Sequence, residues 1–282
     1  MTQGMKHCSW WDYSWNPFVG CSHIPGDPSC GNCYAQHIVH RYEWPTEDGR
    51  RTRGRHEGVT EEISGKALWN GKVIIHPYDD PVWQVPFRYR PESWRALNLG
   101  PKGPPLCFIG DISDCFHPDV PAEVIDRVIE TMIVAGHIGM LCSKRPERMR
   151  DYLLRRSPDT LWITQQHIWP GTSAPNQHWF DERWPYLYEL AKRDSQTFVS
   201  LAPLMEPVVV PPEFLELGNR TWLITGGEQT TETQNVHETQ PAWLRQLRDQ
   251  CREAGVPFYV LQMSRRETVP LELWSHGVPK LR

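Results

Sequence analysis

Three cysteines lie close together near the start of this 282-residue chain: Cys21, Cys30 and Cys33, separated by eight and two residues. Their loop is punctuated by Pro25, Gly26, Pro28 and Gly31 and leads into a predicted helix over 34–42, so three thiolates on one loop can face one point. Cysteine thiolates hold iron–sulfur clusters, and a 4Fe-4S cubane with only three of them leaves one iron open. That iron can chelate the amino and carboxylate groups of S-adenosylmethionine (SAM), and electron transfer from the cluster then cleaves a carbon–sulfur bond to give a 5'-deoxyadenosyl radical. Such a radical abstracts hydrogen from unactivated carbon, which no side-chain acid or base can do. The same thiols also read as a structural zinc site, completed to a tetrahedron by Cys8, His23, His37 or Cys115. A second Cys-x-x-Cys pair, the stronger zinc signal, is absent, and spacing alone leaves both readings open.

The rest of the composition narrows the setting. There are eight cysteines in all; Cys107, Cys142 and Cys251 sit in apolar contexts that suit core residues. The segment 1–11 is polar with no apolar signal core, and no run of 18 apolar residues occurs, so nothing is expected to span a membrane or direct export. The expected compartment is therefore the cytoplasm, where thiols stay reduced. A net charge of -4 excludes a uniformly basic surface that coats nucleic acid. Fourteen tryptophans suggest either aromatic walls around a flat ligand or simply packing.

To position such a loop the chain must supply a scaffold. Short apolar runs at 106–110, 138–142, 160–164, 197–201, 222–225 and 258–262 alternate with helical patterns at 121–133, 146–155, 181–192 and 241–253, the last stopped by Gly255. With the aromatic segment at 10–19 this makes about seven parallel strands with crossover helices, an α/β fold of the partial or complete TIM-type barrel kind. No G-x-G-x-x-G follows any predicted strand, which weakens the dinucleotide-binding alternative. The whole chain reads as one barrel domain, with residues 44–103 an irregular insertion or lid.

Barrel chemistry sits at the carboxyl ends of strands. The polar clusters expected there are Asp111, Ser113 and Asp114, then Ser143-Lys144-Arg145, then Gln165, then Gly226-Gly227-Glu228 with Gln229, and Gln262. Amides and a carboxylate suit a nucleobase edge and a substrate amine, so Glu228 and Gln262 are candidate catalytic residues and Gln165 and Gln229 candidate substrate contacts. Arg51 and Arg53, with Arg50, Arg55, Trp44 and His56, form a candidate strand-binding lid for a flipped or single-stranded base. A flexible charged loop is the alternative.

Several motifs together resemble a phage and bacterial three-cysteine family of radical-SAM-like proteins. They are Ser14-Trp15-Asn16-Pro17 with Gly20-Cys21, Cys30-Gly31-Asn32-Cys33-Tyr34-Ala35, the run from Asp111 to His117, the run from Ser143 to Met149, Gly226-Gly227-Glu228, and Arg248-Asp249-Gln250-Cys251 with the run from Ala254 to Phe258. The resemblance covers nearly the whole chain. It implies a radical SAM barrel with a 4Fe-4S cluster on Cys21, Cys30 and Cys33, SAM as cofactor, and an electron donor such as flavodoxin or ferredoxin. It further implies modified phage DNA as substrate in the bacterial host cytoplasm: an isomerase that moves glycyl-modified thymidine from a nitrogen link to an alpha-carbon link. A radical SAM enzyme acting on a peptide or small molecule, and a non-catalytic zinc-stabilised nucleic-acid-binding protein, are the alternatives.

Within that family's pattern, SAM contacts belong after the second barrel strand, which selects Asp111, Ser113 and Asp114: a carboxylate for the ammonium, a hydroxyl for ribose or carboxylate. Lys144 is a candidate for the SAM carboxylate, and Trp15 or Tyr34 for the adenine. The chain departs from the family at Ala202-Pro203-Leu204, where Glu-Pro-Leu is usual, and at Leu261-Gln262-Met263-Ser264, where Lys-Gln-Trp-Gly is usual. It also has Gln229-Thr230 in place of Ser-Gly. These changes at strand ends fit a changed substrate for a retained radical generator.

Overall fold

The computed structural model describes residues 10–43, 58–90, 99–100, 103–228, 236–273 and 277–281. In chain order, β1 (Tyr13–Trp15) and β2 (Phe18–Val19) precede α1 (Tyr34–Glu43). A hairpin of β3 (Thr60–Ile63) and β4 (Lys66–Trp69) is followed by β5 (Ile74–Ile75) and the short α2 (Val85–Arg88). Strands and helices then alternate: β6 (Leu106–Ile109), α3 (Ala122–Ala135), β7 (Ile138–Cys142), α4 (Pro146–Leu154), α5 (Pro158–His167) and β8 (Ile168–Ser173). They continue through α6 (Gln177–Ala191), β9 (Thr197–Leu201), α7 (Pro212–Glu216), β10 (Thr221–Thr225), α8 (Pro241–Ala254) and β11 (Phe258–Val260).

Seven of these strands form one parallel sheet in the order β1-β6-β7-β8-β9-β10-β11. Spatial order follows chain order without a reversal. Right-handed crossovers then lay every connecting helix on the same face, so the sheet curls around its other face as barrels do, with no topological switch point. Among the described residues β1 and β11 are edges, so the barrel is a partial one.

The strands are apolar along their length because both faces are covered. Leu106–Ile109, Thr197–Leu201 and Thr221–Thr225 are buried at every position. Alternate residues split between two cores, as the two-residue period of a strand demands. Ile109, Leu141, Val199 and Leu223 pack with Val128, Leu187 and Leu247 of the outer helices. Leu106, Phe108, Met140, Trp169, Phe198, Trp222 and Tyr259 fill the concave face around Trp10, whose ring centre is 5.0 Å from that of Phe108 and 5.4 Å from that of Phe198. Most of the described tryptophans therefore serve packing; Trp162 is exposed.

One expected element is different. Residues 160–164 are helical, part of α5, and the strand lies later at Ile168–Ser173. Ser157 caps this helix by accepting from Thr160 N, and Pro158 occupies its first turn, where a missing N–H costs nothing. The β-branched and aromatic run Thr160-Leu161-Trp162-Ile163-Thr164 mimics a strand, while the true strand carries Pro170 and Gly171, which read as a turn. Of the segment 44–103, the described part is tied to the barrel. The hairpin packs Val59 and Trp69 on Val39 of α1, β5 pairs antiparallel with β2, and Trp83 meets Trp15 edge to face at 5.6 Å.

Candidate metal centre

The cysteine loop leaves the barrel at the carboxyl end of β1. Gly20, immediately before Cys21, has φ +109, and a Cβ there would lie 2.1 Å from the carbonyl oxygen of Lys72. Only glycine turns the chain at this point. Asp27 then organises the middle of the loop. Its Oδ1 accepts from Ser29 N at 2.9 Å and from Ser29 Oγ at 2.5 Å, capping the single 3-10 turn Pro28–Cys30. Its Oδ2 lies 2.6 Å from Arg183 Nη2 of α6 and 3.5 Å from Lys144 Nζ. Burial opposes ionisation of Asp27, but Lys144, Arg183 and the Ser29 hydrogen bonds outweigh it and hold the carboxyl below its ordinary range.

A second segment, Ser143-Lys144-Arg145 at the carboxyl end of β7, reaches across to the cysteines. Lys144 Nζ donates to Ser29 Oγ at 2.6 Å and to Cys30 Sγ at 3.2 Å. Arg145 Nη1 lies 3.8 Å from Cys21 Sγ and 2.7 Å from Asp114 Oδ2, and its Nη2 donates to Ser22 Oγ at 2.7 Å. Asp114 is the fixed point: its Oδ1 also accepts from Ser143 Oγ at 2.7 Å and from Phe116 N at 2.9 Å. Burial, reinforced by Asp114, pushes the Cys21 thiol up to about 12 despite Arg145. Cys33 interacts electrostatically with both Cys21 and Lys144, so the three thiols share one neighbourhood.

Among the described residues no three His, Cys, Asp or Glu side chains converge as a single ion requires. His23 Nε2 is 2.9 Å from Gln36 Oε1, Cys115 is buried in the main core, and Cys8 lies outside the described residues. A cubane differs from a single ion because its three thiolates bind three separate irons. Three neighbouring thiols on a capped loop, two of them met by cationic side chains, fit that group.

The other candidate residues divide. Asp111 Oδ1 accepts from Asn16 Nδ2 at 2.5 Å, and burial raises its carboxyl above the ordinary value despite hydrogen bonds from Asn16 and Ser14. Ser113 Oγ is buried with no partner among the described residues. Tyr34 donates its hydroxyl to the Asp111 carbonyl oxygen at 2.7 Å and leaves its ring about half exposed beside Cys33. Trp15, by contrast, is only 1% exposed, with Nε1 donating to Val82 O at 2.8 Å behind Trp83, so it has no face for adenine. Gln165 is on α5 with its amide donating to Arg193 O and Ser195 Oγ, not at a strand's carboxyl end, because the strand expected before it is a helix. Glu228 and Gln262 do follow β10 and β11. Glu228 is buried; its Oε2 accepts from His237 N at 2.9 Å and its Oε1 has no partner among the described residues. Gln262 Nε2 donates to Gly227 O at 2.8 Å. Arg51, Arg53 and Gln229 lie outside the described residues.

Sequence reading missed two residues, Asp27 and Arg183, and named Arg145 only as a member of the Ser143-Lys144-Arg145 cluster, with no role of its own. Asp27-Pro28 carries a capping signal, and Arg183 sits on the same helical face as Phe180, Trp184 and Leu187, where a charge demands a buried partner. Arg145 gives no signal beyond its place beside Lys144.

The sequence matches a family model described as Protein of unknown function (DUF5131) over residues 5–272. The chain belongs to that family. No curated protein matches this DUF5131 chain. Solved structures of similar shape include spore photoproduct lyase complexed with dinucleoside spore photoproduct, at TM-score 0.47 and 12% identity, covering 86% of this chain and 74% of that one. A mutant of the lyase with bound AdoMet and dinucleoside spore photoproduct has TM-score 0.47 and 12% identity over 88% of this chain and 75% of that one. Another mutant with the dinucleoside has TM-score 0.49 and 12% identity, covering 86% and 74%. Among the described residues of the DUF5131 chain, no helix is long and apolar enough to cross a membrane.

Proposed function

We propose that this protein is a radical SAM enzyme in which Cys21, Cys30 and Cys33 hold a 4Fe-4S cluster. The observation that carries the reading is the pair of contacts from one strand end, Lys144 to Cys30 and Arg145 to Cys21, which place positive charge against ligands that bind iron as thiolates. Once bound, the cluster and SAM supply a 5'-deoxyadenosyl radical. The chain's own groups orient the cofactor. Ser113 offers an unpartnered hydroxyl, and the Tyr34 ring beside Cys33 offers a face for adenine.

The resemblance set out from the sequence extends this to a substrate, glycyl-modified thymidine in phage DNA. In the isomerisation the bond from nitrogen to the thymine methyl carbon breaks, a bond from the glycyl alpha carbon to that methyl carbon forms, and the alpha hydrogen ends on nitrogen. The change is redox neutral and the product isobaric. Glu228, at the carboxyl end of β10 with an Oε1 that has no partner among the described residues, suits the amine. An electron donor of the flavodoxin or ferredoxin class serves the cluster.

Anaerobic purification with iron, sulfide and zinc analysis tests the cofactor. Iron and sulfide near four per chain with SAM cleaved to 5'-deoxyadenosine is the expected result; stoichiometric zinc in a colourless protein after reconstitution overturns it. Mass spectrometry of digested glycyl-modified DNA tests the substrate. An isobaric nucleoside lacking the carbon–nitrogen link supports the isomerase, and unchanged nucleoside defeats it while leaving SAM chemistry standing.

A further inference from the structure

Lys144 has three N–H donors. Two of them donate into the cysteine loop, to Ser29 Oγ at 2.6 Å and Cys30 Sγ at 3.2 Å, and the ammonium forms a looser ion pair with Asp27 Oδ2 at 3.5 Å. A SAM carboxylate would have to compete with Asp27 for the remaining donor. The charges around the loop do not cancel either. Arg145 pairs with Asp114 at 2.7 Å and Arg183 with Asp27 at 2.6 Å, so Lys144, the more distant partner of Asp27, is the surplus cation of this group of five. Its side chain is 21% exposed, which leaves water little room to screen it.

We propose that Lys144 is a positioning residue that sets the reduction potential of the iron–sulfur cluster by donating to the Cys30 sulfur, and that it does not bind SAM. The inference rests on the radical SAM reading above. Taking up one electron adds a negative charge to the cluster. A cation hydrogen-bonded to a ligand sulfur stabilises that form more than the oxidised one, so net charge and hydrogen bonds at the sulfurs raise the potential. Arg145 acts in the same sense at Cys21, but Asp114 neutralises it.

The test is an EPR-monitored redox titration of the anaerobically reconstituted protein, first without SAM and then with it. At the wild-type midpoint, Lys144→Met is expected to lower the ratio of reduced to oxidised cluster at least tenfold, a shift of about 59 mV for a one-electron couple. Lys144→Arg, which keeps the charge, is expected to restore most of it, and SAM is expected to perturb the spectrum of each variant as in wild type. If Lys144→Met fails to retain iron, Lys144→Gln, which removes the charge but keeps amide N–H donors, is expected to lower the ratio in the same direction by a smaller factor. An unchanged midpoint with loss of the SAM-induced spectral change overturns the proposal and makes Lys144 a SAM ligand. A wild-type protein that assembles no cluster overturns the radical SAM reading itself, and does so before any variant is made.

Discussion

Arg183 of α6 and Asp27 of the cysteine loop form an ion pair at 2.6 Å in which both side chains are almost wholly buried. Arg183 Nη1 also donates to Ser173 O at 2.5 Å, and its guanidinium lies 4.2 Å over the Trp179 ring. The pair thus ties the loop after β1 to the end of β8, two strands beyond β6 in the sheet.

Breaking this pair from one side costs up to about 3–5 kcal/mol, the upper end being reduced for loss of Arg183 because Lys144 still faces Asp27 at 3.5 Å. Arg183→Met is expected to lose stability of that order in urea unfolding, together with iron. Asp27→Asn is expected to lose less at low pH. Because Asp27 is held below its ordinary value, its contribution is complete above roughly pH 4 and fades as pH falls through the depressed folded value. The stability gap between wild type and Asp27→Asn should therefore be constant from neutral pH down to that point and narrow below it; a gap that widens in acid contradicts the pairing.

The cysteines separate into two groups. Cys107, Cys115 and Cys251 are buried in the core, and burial pushes Cys251 and Cys142 up to about 12. Burial lifts Cys21 in the same way, so what separates the loop thiols is their company: Lys144 stands against Cys30 and Arg145 against Cys21, whereas burial alone acts on Cys251. Serine substitution at Cys21, Cys30 or Cys33 is expected to abolish iron binding. Cys251→Ala is expected to keep full iron content and cost about 1–2 kcal/mol for a small cavity. Iron loss in Cys251→Ala alone would refute the assignment of ligands.

Most strands were legible because a fully buried parallel strand is a short apolar run, as at 138–142 and 197–201, and because glycines such as Gly255, at φ 69, end helices where the pattern stops. The fourth barrel strand was not, because Pro170 and Gly171 lie inside it; a Cβ on Gly171 would sit 2.3 Å from the Phe198 ring, so its packing requires a residue that local rules assign to turns. In the candidate centre the cysteine loop was legible from type and spacing, and Lys144 from its place after a strand, though as a SAM contact and not as a neighbour of Cys30. The partner of each charge was not. Asp27 and Arg183 are 156 residues apart, and Asp114 and Arg145 meet only because β6 and β7 are neighbours.

Gly20 offers a test of how strictly the loop is aimed. Alanine at this position meets the Lys72 carbonyl at 2.1 Å and a backbone angle that L-residues avoid. Gly20→Ala is expected to cost about 2 kcal/mol or more and to reduce iron content, since Cys21 follows directly. Gly65→Ala, in the β3–β4 turn at φ +75 with nothing within 4 Å, meets only the angle and is expected to cost about 1 kcal/mol with iron unchanged. Equal iron loss in both would show that the effect is global destabilisation.

Glu228 distinguishes substrate handling from cofactor handling. It lies three strands from β7, roughly 14 Å along the sheet at ordinary strand spacing, and is buried with one carboxyl oxygen unpartnered among the described residues. A buried carboxyl left half satisfied is unfavourable for folding, so Glu228→Gln is expected to be neutral or to raise the urea midpoint slightly. The same change removes the charge that would meet a substrate amine. Product formation is therefore expected to fall at least a hundredfold, of the order of a lost charge-assisted hydrogen bond, while SAM cleavage to 5'-deoxyadenosine continues. Retained product with lowered stability would make Glu228 a structural anchor for His237, which its Oε2 holds at 2.9 Å.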